Sequence, residues 1–242
     1  MENIKLDVLA FAAHPDDTEL SCAGTLAAHI DKGYTVGVVD FTRGEMGTRG
    51  SAEIREVEAR ESAKILGLAV RDNLGFEDAF FANDKEHQLE VARAIRKYRP
   101  NIVLANAVHD RHPDHGKAAK LVIEAYFLAG LAKIELTDEE GNALEPWRPK
   151  SVYHYIQSLY IEPDFVVDVS DYWEKKMDAI RAFKSQFFDP NSEEPETYIS
   201  SPEFMQVIEG RAKDLGHGIG GKFAEGFTIN RHIGVKDLHD LL

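Results

Sequence analysis

The chain predicts an α/β fold, a parallel sheet covered by helices on both faces. Three observations carry that expectation. Apolar runs alternate with segments of helical periodicity through the first half, and the runs are nearly continuous rather than alternating, as in strands buried on both faces. The length of 242 residues and the 43% hydrophobic content are enough for a full core.

Taken in order, LDVLAFAA (6–13) reads as a buried strand. Residues 18–32 follow with Leu20, Ala23, Leu26, Ala27 and Ile30 at helical spacing, and Gly33 as a stop. YTVGVVDFT (34–42), rich in β-branched residues, is the second strand, and the glycine-rich loop RGEMGTRG (43–50) leads to Ser51. Ser51 caps a helix to Gly67 with Ile54, Val57, Ile65 and Leu66 as its apolar positions. A short strand is expected at 69–74, then a helix at 87–98 stopped by Pro100, a strand at 101–107 and a helix at 116–130. This is a Rossmann-like half, residues 1–145.

From 146 the pattern changes. SVYHYIQSLYI (151–161) alternates like a half-exposed strand and DFVVDV (164–169) is another, with a helix from Ser170 to about 187. The polar stretch 189–197 reads as a loop, and a last helix at 201–214 runs into the glycine-rich LGHGIGGKFAEGF. Residues 146–242 are taken as a strand/helix elaboration of the same single domain, 1–242.

Bulk properties exclude several functions. A net charge of −14 argues against nucleic acid and against an anionic membrane surface as partner. Cys22 is the only cysteine, so no intrachain disulfide is available. With no basic leader and no long apolar span, a cytoplasmic location is expected.

Two clusters carry chemistry. AAHPDDTEL (12–20) sets His14, Asp16 and Asp17 at the mouth of the first strand, and HDRHPDH (109–115) follows the strand at 101–107. In a parallel sheet both loops fall at the carboxyl edge, where ligands bind. His14 and Asp17 stand at i, i+3, as do His112 and His115, so each pair shares one face of a turn or helix start. Two such pairs supply the three His/Asp ligands of a catalytic zinc site and leave a fourth group over. Asp16, beside a ligand but pointing elsewhere, suits a general base, and a non-ligand histidine suits oxyanion stabilisation. The alternative for either motif alone is a helix cap or a His-Pro-Asp turn. Two-metal phosphoester hydrolysis, which His109 and Asp110 would have to join, needs more ligands than the motifs supply. Gly216, Gly218 and Gly221 satisfy G-x-G-x-x-G, the sole support for a non-catalytic nucleotide- or sugar-binding module, but no strand is expected before them. Cys22 reads as a small core residue, and His29, His87, His232 and His239 as solvated side chains.

On AHPDDTE (13–19) and RHPDH (111–115) the chain resembles the LmbE/PIG-L type of zinc-dependent N-acetylglucosaminyl deacetylases. The likeness extends to GT (24–25), EIREVEA (53–59), FKSQF (183–187) and FAEGF (223–227), and is greatest to the branch acting on GlcNAc-malate in bacillithiol biosynthesis. The resemblance implies His14, Asp17 and His115 as zinc ligands, one ion per chain, with another divalent metal such as Fe2+ as the alternative. It implies Asp16 as the base, His112 as the protonated oxyanion-stabilising histidine, Asp114 as a residue orienting a histidine, and Arg55 as a contact to sugar hydroxyls. It also implies a homo-oligomer, commonly a hexamer, and leaves Tyr198 or Phe204 at the position where relatives place an oxyanion tyrosine. Relatives in the same branch act on chito-oligosaccharides or other GlcNAc conjugates. If the substrate is GlcNAc-malate, a second arginine should grip the malyl carboxylates, and Arg148 in WRPK (147–150) is the candidate.

Overall fold

A computed structural model describes residues 4–187 and 192–240. Among these residues seven strands form one sheet: β1 (Val8–Ala12), β2 (Val36–Thr42), β3 (Val70–Phe76), β4 (Ile102–Ala105), β5 (Ser151–Tyr155), β6 (Phe165–Asp168) and β7 (Ala224–Thr228). Their order across the sheet is β3-β2-β1-β4-β5-β7-β6. The first five are parallel, and β7 runs antiparallel to both β5 and β6. The α/β expectation therefore holds, with a mixed edge. β7 was not foreseen: AEGFT carries two small residues and a charge, so its pattern is weak. It is buried because Phe227 stacks on Phe165 with ring centroids 5.3 Å apart.

Among the described residues six α-helices connect the strands: α1 (Asp17–Asp31), α2 (Ala52–Leu66), α3 (Lys85–Tyr98), α4 (Pro113–Ala129), α5 (Trp173–Arg181) and α6 (Pro202–His217). Alternating strand residues feed two cores. Leu9, Phe11, Val39, Phe41 and Val103 pack with Val91, Ile95, Leu121 and Val122 of α3 and α4. Val8, Ala10, Val36, Val38 and Leu104 pack with Cys22 and Leu26 of α1 on the opposite face. α1 approaches the sheet edge closely at Gly24, where a Cβ would come within 2.7 Å of the Val169 Cβ. Cys22 is buried there, as its size suggests.

Three expectations change. Ile54 and Val57 of α2 are exposed, and the helix buries Arg55, Glu58, Ala59, Ser62 and Leu66 instead. The reason is that α2 turns this polar face inward, where Arg55 and Glu58 find partners at the site edge and in the 183–187 segment. The helix expected from Ser170 to 187 stops at Arg181, after a single 3-10 turn over Ser170–Tyr172. The predicted loop 189–197 lies outside the described residues at 189–191; its Glu193–Glu196 run is exposed. The three glycines of the G-x-G-x-x-G match run from the last turn of helix α6, which holds Gly216, into the segment before strand β7. That is the reverse of the strand-turn-helix order a dinucleotide pyrophosphate needs, so the binding-module reading loses its support.

Candidate active site

The sheet reverses its winding at β1, which lies between β2 and β4. A crevice opens at the carboxyl ends of strands on either side of such a reversal. His14–Asp17 leaves β1 there, and Asn106–His115 leaves β4. Between them is a cavity of about 290 Å3 whose wall includes His14, Asp16, Asp17, Arg55, His112 and His115.

Each backbone segment is held for this purpose. Asp16 takes φ 118° and ψ −21°, a region costly for any residue with a Cβ, immediately before α1. His112 is the N-cap of α4 with Pro113 at the first helical position, so the second histidine of the pair, His115, sits in the first turn. The helix therefore starts three residues earlier than periodicity suggested.

The polar contacts converge on Asp17. One carboxylate oxygen, Oδ2, accepts from the His14 amide at 3.0 Å and from Asn106 Nδ2 at 2.9 Å. The other, Oδ1, accepts from Gln157 Nε2 at 3.0 Å and lies 3.0 Å from His115 Nε2. Burial opposes ionisation of Asp17, but the charge of His115 and His14 and these hydrogen bonds hold its carboxyl well below the usual range. His115 Nδ1 lies 2.6 Å from Asp110 Oδ2, which fixes the ring and leaves Nε2 facing Asp17. His14 is arranged in the same way. Its Nε2 faces Asp78 and Asp114 at 3.1 and 3.3 Å, and its Nδ1 lies 3.7 Å from Asp17 Oδ2.

Burial disfavours the charged form of both rings, yet the surrounding carboxylates outweigh it. They raise His14 to about 10 and His115 to about 9. A pocket that draws protons onto two buried histidines is one that favours a cation. Ring nitrogens of His14, His112 and His115 all lie within 4.8 Å of one another, and one nitrogen of His14 lies equally near Asp78 and Asp114 oxygens. Imidazole nitrogens with an adjacent carboxylate are the donor set of a divalent transition-metal site, so these residues fit such an ion.

Asp16 belongs to the same wall but to a different network. Its Oδ2 accepts from Arg55 Nη2 at 3.0 Å. Burial pushes its pKa up to about 7 against the pull of Arg55. Arg55 is also tied to the carbonyls of Pro15 at 2.6 Å and Gly44 at 3.1 Å, while its buried Nε has no partner among the described residues. It thus braces Asp16 and the 43–50 loop while bordering the cavity, a fuller commitment than a contact to sugar hydroxyls alone. Gly44, at φ 68°, lets this happen: a Cβ there would overlap the guanidinium.

His112 Nδ1 accepts from the Asp114 amide at 3.3 Å, so in the neutral ring the proton is on Nε2. Burial and the neighbouring His14 and His115 lower its pKa. With Nδ1 accepting, Nε2 is left as the ring's donor position. Asp114 Oδ2 lies 3.3 Å from the ring of His14. Tyr198 lines the cavity, and Phe204 lines it from a buried position on α6.

Arg148 is not brought here within one chain. The WRPK turn is pinned below the C-terminal end of α4, where Trp147 N donates to Ala129 O and Trp147 Nε1 to Pro100 O. The Arg148 guanidinium stacks on Phe127 at 5.1 Å and donates to its carbonyl, roughly 20 Å of helix away from His112. His109 is exposed, while Asp110 serves His115. Sequence reasoning missed Asp78, Asn106 and Gln157. Asn106 had one available signal, a polar residue ending an apolar strand at the same edge as the motifs; Asp78 and Gln157 had none.

A family model described as PIG-L: GlcNAc-PI de-N-acetylase matches residues 9–126. The diacetylchitobiose deacetylase of Thermococcus kodakarensis is 35% identical over 190 residues, covering 74% of this chain and 70% of its own length. A probable N-acetyl-α-D-glucosaminyl L-malate deacetylase 2 of Bacillus anthracis is 28% identical, covering 74% of this chain and 81% of that one. Among solved structures, a conserved protein of Thermus thermophilus superposes with a TM-score of 0.85 at 37% identity, covering 96% of this chain and 98% of that chain. Motifs, fold and relatives agree, and the chain belongs to the PIG-L family of de-N-acetylases.

Proposed function

We propose that the protein hydrolyses the acetamide of an N-acetylglucosaminyl conjugate, GlcNAc-malate in bacillithiol biosynthesis, with a zinc ion held by His14, Asp17 and His115. The observation that carries the reading is the pair of histidines that each turn one nitrogen to a carboxylate and the other towards Asp17. The ion, when bound, supplies Lewis acidity, acidifying water and drawing charge from a carbonyl oxygen. Asp16, braced by Arg55, removes a proton from the attacking water and returns it to the departing amine. The water oxygen bonds to the acetyl carbon, the C–N bond breaks, and acetate and a free amino sugar result. His112 donates from Nε2 to the carbonyl oxygen as its charge grows.

The whole chain acts as one catalytic domain in this reading, cytoplasmic and homo-oligomeric. A second substrate, a chito-oligosaccharide, is favoured by the higher identity to the Thermococcus enzyme. Deacetylation of GlcNAc-malate, diacetylchitobiose and free GlcNAc by the purified, metal-assayed protein separates the two. Preference for the malate conjugate, one metal per chain and retention of that metal in an inactive Asp16→Ala variant are expected. Full turnover by Asp16→Ala would refute the base, and preference for chitobiose would refute the substrate.

A further inference from the structure

Two arginines unforeseen from the sequence line the same cavity as the histidines: Arg111, beside His112, and Arg211 on α6. Arg111 is exposed and Arg211 half-buried. Other inward-facing arginines are engaged by protein groups, although Arg55 Nε lacks a partner among the described residues. Arg71 holds Asp40 and Glu19, Arg55 holds Asp16, and Arg96 donates to four carbonyls. Arg211 differs. Its one hydrogen bond goes to the Ser158 carbonyl at 2.8 Å, and burial lowers its pKa, with Asp110 and Tyr198 as its charged or ionisable neighbours. Asp110 is already engaged by His115 and by the Leu159 amide. Arg111 lies 4.6 Å over the Tyr198 ring. Among the described residues neither arginine has a carboxylate within ion-pair distance, and Tyr198 adjoins both. In a chain of net charge −14, two uncommitted guanidiniums on one cavity wall call for an anion.

We propose that Arg111 and Arg211 form a carboxylate-binding subsite that selects a small acidic aglycone on the sugar. The proposal rests on the deacetylase reading above and replaces Arg148 in the role of gripping the malyl carboxylates. A guanidinium binds a carboxylate through two parallel hydrogen bonds, and a malyl group offers one carboxylate to each arginine. The Tyr198 ring packs against Arg111 on the cavity wall, and the Ser158 carbonyl holds Arg211 while leaving most of its N–H groups free. A neutral second sugar would gain nothing from either.

The test compares kcat/KM on GlcNAc-malate with that on diacetylchitobiose for the parent, Arg111→Gln, Arg211→Gln and Arg211→Lys. Each Gln variant is expected to lower the acid-to-neutral ratio about 10–100-fold, with Lys recovering part of the loss. An unchanged ratio, or equal losses on both substrates, overturns the subsite. Should the parent cleave neither conjugate, the deacetylase substrate reading fails on its own. The subsite is then decided by ligand-observed NMR with L-malate. Binding that Arg211→Gln weakens at least tenfold supports it; undiminished binding, or none to the parent, overturns it.

Discussion

Replacing Asp16 by glycine should leave a more stable protein than replacing it by alanine, the reverse of the usual order. Both substitutions delete the carboxylate and leave Arg55 without its ionic partner, so that cost cancels between them. What differs is a Cβ on a backbone at φ 118°, ψ −21°. Such a conformation costs a residue with a Cβ roughly 1–3 kcal/mol, while glycine's freer unfolded chain costs about 0.4–1 kcal/mol in the other direction. Glycine should therefore win by about 0.5–2 kcal/mol, or about 1–8 °C in Tm for a chain of this size. Urea unfolding of both variants by circular dichroism, with chelator present to remove metal linkage, measures the difference. Alanine equal to or more stable than glycine would refute the claim that the site stores backbone strain. Neither variant should turn over substrate, so stability and activity would part at one residue.

Other perturbations address the supports. Gly44→Ala drives a Cβ into the Arg55 guanidinium, and kcat should fall at least about tenfold while bound metal stays stoichiometric; unchanged kcat would show that Arg55 does not brace the base. Gln157→Leu removes a hydrogen bond from Asp17 Oδ1 and should weaken metal affinity about 10–100-fold in chelator competition. Asp110→Asn should do likewise through His115; unaltered affinity in both would exclude these residues as supports. His112→Gln should retain metal and lose about 100–1,000-fold in kcat, whereas loss of the metal itself would make His112 a ligand.

Continuous apolar runs announced β1, β2 and β4, because strands covered on both faces leave no room for polar residues, and the two His-Pro-Asp runs announced the site beside them. What stayed hidden depends on contacts made across the chain. α2 hides Arg55 and Glu58 and exposes Ile54 and Val57, an inversion no periodicity reveals, since the partners lie at Asp16 and Ser185. β7 takes its burial from Phe165 rather than from its own pattern. Arg148 illustrates the same gap: its chemistry suited a carboxylate, but the Trp147 anchors carry it to the wrong end of α4.

The convergence on Asp17 also governs when the site can exist during folding. Asn106 is 89 residues from Asp17, and Gln157 is 140 residues away. Bringing such ends together costs about 4 kcal/mol of chain entropy, nearly all of it incurred at the first closure, since extending from 89 to 140 residues adds only about 0.4 kcal/mol. Neither His-Pro-Asp run can recruit the other through local structure; the side-by-side pairing of β1 with β4 must come first. A chain emerging from synthesis thus carries half a site until β4 (Ile102–Ala105) has been made. It gains the second half with β4 and the amide that steadies Asp17 only after β5. Completion of the site is consequently a late event, and lesions within β2, β3 or α3 delay it without touching a cavity residue.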